Sequence, residues 1–367
     1  MDTAYDAVIV GAGAAGLMTG KRLADRGRRI LIVDDHARVG DVWRERYRSL
    51  RLFTPRRHAE LPGLGLGIGY FEYPTGAQFG DYLERYAARF ALPVRGGVRV
   101  TNLDRDDDDA FRIALDDGEV LRAAAVVVAA GNHRVAGRPR FADALAPSIV
   151  QLHSLEYEGP EQLADGPVLV VGAGNSGTDL ALEAAAAGHA VTIAGRHPGH
   201  IPADIDRPIG NLVASVFIGR MRRATADTER GRRRWAAARG HGVMLVRNTP
   251  RDLDRAGVVR IGRLEGVDAA GHPLAPDGSV IDAATVLWCT GSRPDFGWIR
   301  LDGAIDEQGW PVHVRGLVEA QPGLAFVGLP FQYSMASPTL MGMGADSAYV
   351  VERLLAAVPV PVPADAR

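Results

Sequence analysis

Apolar residues along this chain gather into short runs, and two of those runs break off into glycines in the same way. Residues 7–17 read AVIVGAGAAGL and residues 168–180 read VLVVGAGNSGTDL. In each, an apolar run leads into Gly-x-Gly-x-x-Gly and then an Ala/Leu-rich stretch of helical spacing, which predicts strand, tight turn and helix twice over. An internal duplication of one binding unit is the simplest reading. RRILIVDD (28–35) and HAVTIAGR (189–196) then predict the second parallel strand of each unit.

Between the units, residues 98–131 hold the runs VRVTNL, AFRIAL and EVLRAAAVVVAAG, separated by polar turns. They predict a small antiparallel meander that returns to the main sheet. The acidic run from Asp104 to Asp109 falls at a hairpin tip and lacks the glycine-punctuated loop that would converge carboxylates on a cation. No metal is therefore expected. Residues 220–239, RMRRATADTERGRRRWAAAR, predict an arginine-rich helical excursion with a solvated face. The Pro/Val tail, 359–367, is expected to be flexible.

Composition narrows the class. The chain has 367 residues, 47% hydrophobic and 23% charged, enough for about two domains with separate cores. A net charge of -2 supplies no field toward nucleic acid or an acidic membrane, so neither is expected as a partner. Cys289 is the only cysteine, which excludes an intramolecular disulfide, a Cys-x-x-Cys redox pair and a multi-thiolate metal site. The N-terminal MDTAYDAVIVGAG enters a strand at once, and AAAVVVAA (123–130) is too short to span a bilayer. A cytoplasmic protein without stable membrane insertion is expected. Lys21 is the only lysine among 42 basic residues, a bias expected of a GC-rich bacterial genome.

The two glycine signatures differ where it matters chemically. Gly11 makes the tight turn, Gly13 lets the backbone approach a pyrophosphate, and Gly16 permits close packing of helix on strand, with Ala14 opening the helix. The helix N-terminus offers free N–H groups to phosphates. Asp34, ending the next strand, is placed to grip ribose hydroxyls, which suits an ADP moiety without a 2'-phosphate, as in FAD. Gly172, Gly174 and Gly177 repeat the geometry, with Asn175 and Ser176 as added donors. Here the next strand ends in Gly195-Arg196, and a guanidinium suits a 2'-phosphate that a carboxylate would repel. NADPH is favoured over NADH at this second site. Two different dinucleotide sites in one chain point to hydride transfer between cofactors.

The ordered set of motifs resembles the class B flavoprotein monooxygenases: the flavin-containing monooxygenases, YUCCA-type enzymes, Baeyer-Villiger oxygenases and their short bacterial relatives. It comprises the first glycine signature, VGDVWR (39–44), YRSLRLFTP (47–55), LPG (61–63), QLHSLEY (151–157), VGAGNSG (171–177) and WCTGSRPD (288–295). The resemblance runs from about residue 5 to about residue 352. It implies an α/β fold with two Rossmann-like dinucleotide-binding domains: an FAD domain, 1–160 and 288–358, that carries the meander, and an inserted NADPH domain, 161–287.

By the same resemblance Gly40, Trp43 and Arg44 lie against the ADP half of FAD, although Asp41 replaces a second glycine. AAG (129–131) and CTG (289–291) look like the two hinges where the chain passes between domains. Gly131 and Gly328 would then approach FAD, while Cys289, Thr290 and Gly291 would approach NADPH, with Cys289 as a small buried filler. Phe331 and Tyr333 follow Gly328 on the expected flavin-side loop, and a rather open substrate pocket without an extensive lid is expected near them and Phe53. The family chemistry implies that hydride from NADPH reduces FAD, that O2 adds at C4a, and that the resulting (hydro)peroxyflavin transfers one oxygen to a small organic substrate. The flavin carries the bond-making, and no side chain need act as nucleophile. An alternative is an FAD-dependent NAD(P)H reductase or oxidase that inserts no oxygen. A homodimer is compatible with either.

QLHSLEY keeps half of the family fingerprint Phe-x-Gly-x-x-x-His-x-x-x-aromatic. His153 and Tyr157 hold the spacing, while Ile149 and Pro147 stand where glycine and phenylalanine belong. A hydrogen-bonding role for His153 in the interdomain linker is favoured over acid-base catalysis.

Overall fold

The computed structural model describes residues 4–201, 208–238 and 244–357, so the tail 359–367 lies outside the described residues. Two sheets organise the chain. The first opens with β1 (Ala4–Val10), α1 (Ala14–Ala24) and β2 (Ile30–Val33), a βαβ unit whose strands pair in parallel. Short α2 (Asp41–Arg44) and α3 (Arg56–Ala59) then lead to α4 (Gly76–Arg89). Thr75 starts α4 with a capping box: its hydroxyl accepts from Gln78 N while the Gln78 side chain accepts from Thr75 N.

β3 (Val94–Arg95) adds to the edge beyond β2, and β4 (Val100–Arg105), β5 (Phe111–Leu115) and β6 (Val120–Val128) form the expected meander. Asp106 closes the β4–β5 hairpin by accepting from Asp108 N and Ala110 N. β6 is long enough to serve three neighbours, β5, β1 and, at its end, β16 (324–326). Its first half pairs antiparallel with β5, and its whole length from Arg122 to Val128 lies parallel to β1. This central strand reads AAAVVV because it is covered on both faces.

The chain then crosses over through β7 (Val135–Ala136) into a second, five-stranded parallel sheet. Its strands are β8 (Val150–His153), β9 (Val168–Val171), β10 (Val191–Ala194), β11 (Val259–Ile261) and β14 (Thr285–Trp288), in the order β11-β10-β9-β14-β8. α5 (Asn175–Ala186) follows β9 as α1 follows β1. Between β10 and β11 lie α6 (Pro208–Arg223), α7 (Glu229–Ala238) and α8 (Pro250–Arg255). The expected single arginine-rich excursion is therefore two helices, broken at 224–228 where the backbone turns away to pair elsewhere. The hairpin β12 (Gly266–Val267) and β13 (Pro273–Leu274) precedes β14.

The return crossing is β15 (Ser292–Arg293), which pairs antiparallel with β7, so the two crossings are hydrogen-bonded to each other. β16 (Leu324–Phe326) then pairs in parallel with the end of β6, and α9 (Met343–Ala357) packs on α1. β8, at the end of the expected 1–160 segment, hydrogen-bonds to β14 in the second sheet. A four-residue strand has no local signal for its partner, which here comes from the other end of the inserted segment.

Cores sit on both faces of each sheet. Ile9, Leu17, Phe79, Tyr82, Val127 and Val350 join α1, α4 and α9 to one face of the first, and full burial of such a side chain stabilises by about 1.5–3 kcal/mol. Tyr47 and Tyr157 belong instead to the core under α5. Among the described residues no helix is long and apolar enough to cross a membrane.

Candidate dinucleotide sites and the crossing between them

Steric contacts explain both glycine signatures. Gly11 has φ +110, and a Cβ there would lie 2.4 Å from Ala129 O; one on Gly16 would lie 1.8 Å from Gly11 O. Gly172, at φ +111, would place a Cβ 2.3 Å from Cys289 O, and Gly177 one 1.7 Å from Gly172 O. Each turn is thus packed between its own helix and the equivalent neighbouring strand, β6 or β14. The middle glycines behave differently: a Cβ on Gly13 or Gly174 would meet nothing within 4 Å. These N-cap residues make no side-chain cap, so first-turn amides of α1 and α5 face an open cradle.

At the first site, Asp34 ends β2 beside that cradle. Its Oδ2 accepts from Ala12 N at 2.5 Å, and its Oδ1 accepts from His36 N at 2.9 Å. Hydrogen bonds to Asp34 and Asp35 raise the His36 imidazole from 6.5 to about 10, and the same contact with His36 pulls the Asp35 carboxyl far down. Asp34, Asp35 and His36 lie close enough to hold a metal ion, but the three already satisfy one another.

Gly131 (φ +75) and Gly328 (φ +91) reach the same end of the sheet, at the C-termini of β6 and β16. A Cβ on Gly328 would touch Ala15 Cβ at 3.5 Å. Two side chains that the sequence reading passed over hold the Gly328 peptide. Asn132 Nδ2 donates to Gly328 O at 2.8 Å, and Gln332 Oε1 accepts from Gly328 N at 3.0 Å. Gln332 is buried in an irregular loop, and no periodicity marks it.

Gly40 has φ +92 and packs on the Gly80 backbone. Trp43 meets Phe79 edge to face at 5.1 Å. Arg44 has its guanidinium engaged: Nε with Asp81, Nη1 with Asp41 and Nη2 with Glu84, all at 2.8–2.9 Å. It fastens α2 to α4 and so positions the Gly40–Trp43 turn.

At the second site, Arg196 follows β10 as Asp34 follows β2, is exposed, and has no ion-pair partner among the described residues. Asn175 engages the 244–246 segment, its Nδ2 donating to Met244 O and its Oδ1 accepting from Val246 N. Ser176 stands beside Tyr47. Asp179, one turn on, is tied to Arg247, Asn248 and Tyr47. Burial outweighs these partners and keeps its carboxyl above the ordinary value.

The crossing places His153, Cys289, Thr290 and Gly291 together. Gly291 O accepts from Gly137 N at 2.9 Å, and Thr290 Oγ1 donates to Gly137 O. His153 is fully buried. Its Nε2 lies 3.0 Å from Gly291 O, and its Nδ1 accepts from Leu155 N at 3.1 Å. A carbonyl can only accept and an amide can only donate, so the ring is the neutral Nε2–H tautomer with both nitrogens occupied. Burial also lowers its pKa. Desolvation pushes the Cys289 thiol up to about 12, so it stays protonated. Tyr157 is buried beneath α5.

Comparisons with known proteins agree with this geometry. The family model described as pyridine nucleotide-disulphide oxidoreductase matches residues 8–212. An oxidoreductase of Geobacillus kaustophilus described as CzcO-like and uncharacterised is 33% identical, over 97% of this chain and 99% of its own. A flavin-containing monooxygenase of Stenotrophomonas maltophilia is 27% identical and superposes with a TM-score of 0.76, covering 97% of this chain and 99% of that one. The indole-3-pyruvate monooxygenase YUCCA1 of Oryza sativa is 37% identical over 53% of this chain and 48% of its own.

Proposed function

The chain belongs to the pyridine nucleotide-disulphide oxidoreductase family and, within it, to the class B flavoprotein monooxygenases, and we propose that it is an NADPH-dependent FAD monooxygenase of a small organic substrate. The observation that carries this reading is the opposite charge at matched positions: Asp34 after β2 and Arg196 after β10, beside two cradles of the same shape.

Bound FAD would supply the redox chemistry, taking up hydride from NADPH and passing one oxygen atom of O2 to the substrate. The chain's own work is to bind, orient and exclude water. Gly11, Gly13, Ala14, Gly16 and Asp34 would hold the ADP half of FAD, with Gly131 and Gly328 bringing backbone close to its reactive end. Gly172, Gly174 and Gly177 would take the NADPH diphosphate on α5, and Arg196 its 2'-phosphate. The paired crossings β7 and β15 keep the two sites in register. The corresponding division gives β8 and the strands from β9 to β14 to the NADPH unit, and the rest to the FAD unit.

Disulfide reduction through a Cys-x-x-Cys pair, one chemistry within the wider family's description, is not open to this sequence, whose one cysteine is Cys289. The test of the reading is coupling. The purified yellow protein, given NADPH, O2 and a panel of sulfides, amines and ketones, should form one oxygenated product per NADPH with little peroxide. Peroxide in full yield with every compound would make it an oxidase, and electron delivery only to added acceptor proteins a reductase.

A further inference from the structure

The turn between α6 and α7 reaches across to the first unit and docks on the loop after β16. Ala226 N donates to Tyr333 O at 2.7 Å and Met335 N to Ala224 O at 3.1 Å, which sets Thr225 opposite Ser334 in an antiparallel bridge. Side chains extend the contact. Trp235 of α7 stacks on Phe331, with ring centroids 5.1 Å apart and planes within 9°. Tyr333 Oη donates to Asp227 at 3.2 Å, and Arg222 donates twice to Met341 O at 3.0 and 2.7 Å. From the other side, the Arg315 guanidinium lies 3.5 Å from the Tyr333 ring and 3.9 Å from that of Tyr349.

This docking coincides with backbone strain. Phe331 has φ +53, a left-handed conformation that a bulky side chain adopts only when its surroundings over-determine it. Among those surroundings is the Trp235 ring, which comes from the chain between β10 and β11, strands of the second sheet. The loop they hold begins at Gly328, in the first. Arginines that would otherwise only solvate a helix surface thus flank an interdomain contact.

We propose that residues 222–235 form a strap from the NADPH unit that holds the flavin-side loop 328–341 closed, with Trp235 as its positioning residue, and so shields bound FAD from solvent. The proposal rests on the FAD site proposed above. In this role the arginine-rich excursion belongs to the enzyme's own pocket, and the dinucleotide unit controls how dry the flavin is.

Iodide quenching of flavin fluorescence in the FAD-loaded protein reads shielding without turnover. Trp235→Ala is expected to raise the quenching constant several-fold, and Trp235→Phe, which keeps a ring on Phe331, to raise it little. Thr225 and Ser334 face each other at a spacing a disulfide can bridge. Oxidised Thr225→Cys/Ser334→Cys in the Trp235→Ala background should return quenching to the wild-type value, and dithiothreitol should restore the excess. Asp227→Ala, at an exposed position, provides the same comparison where Trp235→Ala does not fold. Unchanged quenching in these variants, or an excess that the closed disulfide leaves in place, would overturn the strap. A wild-type protein without bound flavin would instead overturn the FAD site itself, and the shielding role with it.

Discussion

The Tyr47 hydroxyl donates a 3.0 Å hydrogen bond to Asp179 Oδ2, tying the segment after Trp43 to the helix that opens the second cradle. Tyr47 is 2% exposed, so the bond is made away from water. Tyr47→Phe should destabilise the protein by about 1–2 kcal/mol, seen as a lower midpoint in urea. Asp179→Ala should cost about 1–3 kcal/mol, because it leaves Tyr47, Asn248 and Arg247 each short of a partner. Equal, negligible effects would separate the two units energetically.

His153 is predicted to be a structural pin. Replacing it by Leu leaves Gly291 O and Leu155 N each one partner short, at a cost of about 1–3 kcal/mol. His153→Gln, which can supply a donor, should recover part of that. The pH profile of kcat/KM should keep its shape in His153→Gln. Loss of an ionisation near neutral pH in that variant would make His153 an acid-base group.

His36 makes stability depend on pH in a stated direction. Its folded pKa is raised from 6.5 to about 10, so the protonated ring stabilises the fold fully below pH 6.5, and that contribution is lost as pH rises toward 10. The wild-type midpoint temperature should fall across this window, by the equivalent of about 1 kcal/mol after solvent screening. His36→Gln should flatten the fall. An identical slope in the variant would place the titrating group elsewhere.

The first two glycines of the second loop, Gly172 and Gly174, should separate folding from binding. Gly172→Ala forces a Cβ to within 2.3 Å of Cys289 O at φ +111 and should lower stability sharply. Gly174→Ala meets nothing within 4 Å, so it should leave the thermal midpoint nearly unchanged while weakening NADP+ binding about tenfold or more in calorimetry.

What the sequence made legible was what acts locally. Strand, glycine turn and helix follow from the steric demands of Gly11–Gly16 and Gly172–Gly177, and the opposite charges of Asp34 and Arg196 are read directly from the ends of two strands. The meander follows from alternation within 98–131. What stayed hidden depends on distant partners. The sequence around Arg44 does not show that α4 brings Asp81 and Glu84 to its guanidinium. The sequence around Asn175 does not show that Met244 and Val246 engage its amide. Val150–His153 carries no mark of the sheet it joins, and nothing in RGRRRWAAAR announces that Trp235 stacks on Phe331.

The most direct measurement is anaerobic titration of the purified flavoprotein, followed at the visible flavin band, with NADPH and NADH in wild type and Arg196→Ala. The account predicts stoichiometric bleaching by NADPH, much slower bleaching by NADH, and a loss of about tenfold or more in NADPH efficiency on Arg196→Ala with NADH little changed. A protein without flavin, or equal losses with both nucleotides, would contradict it.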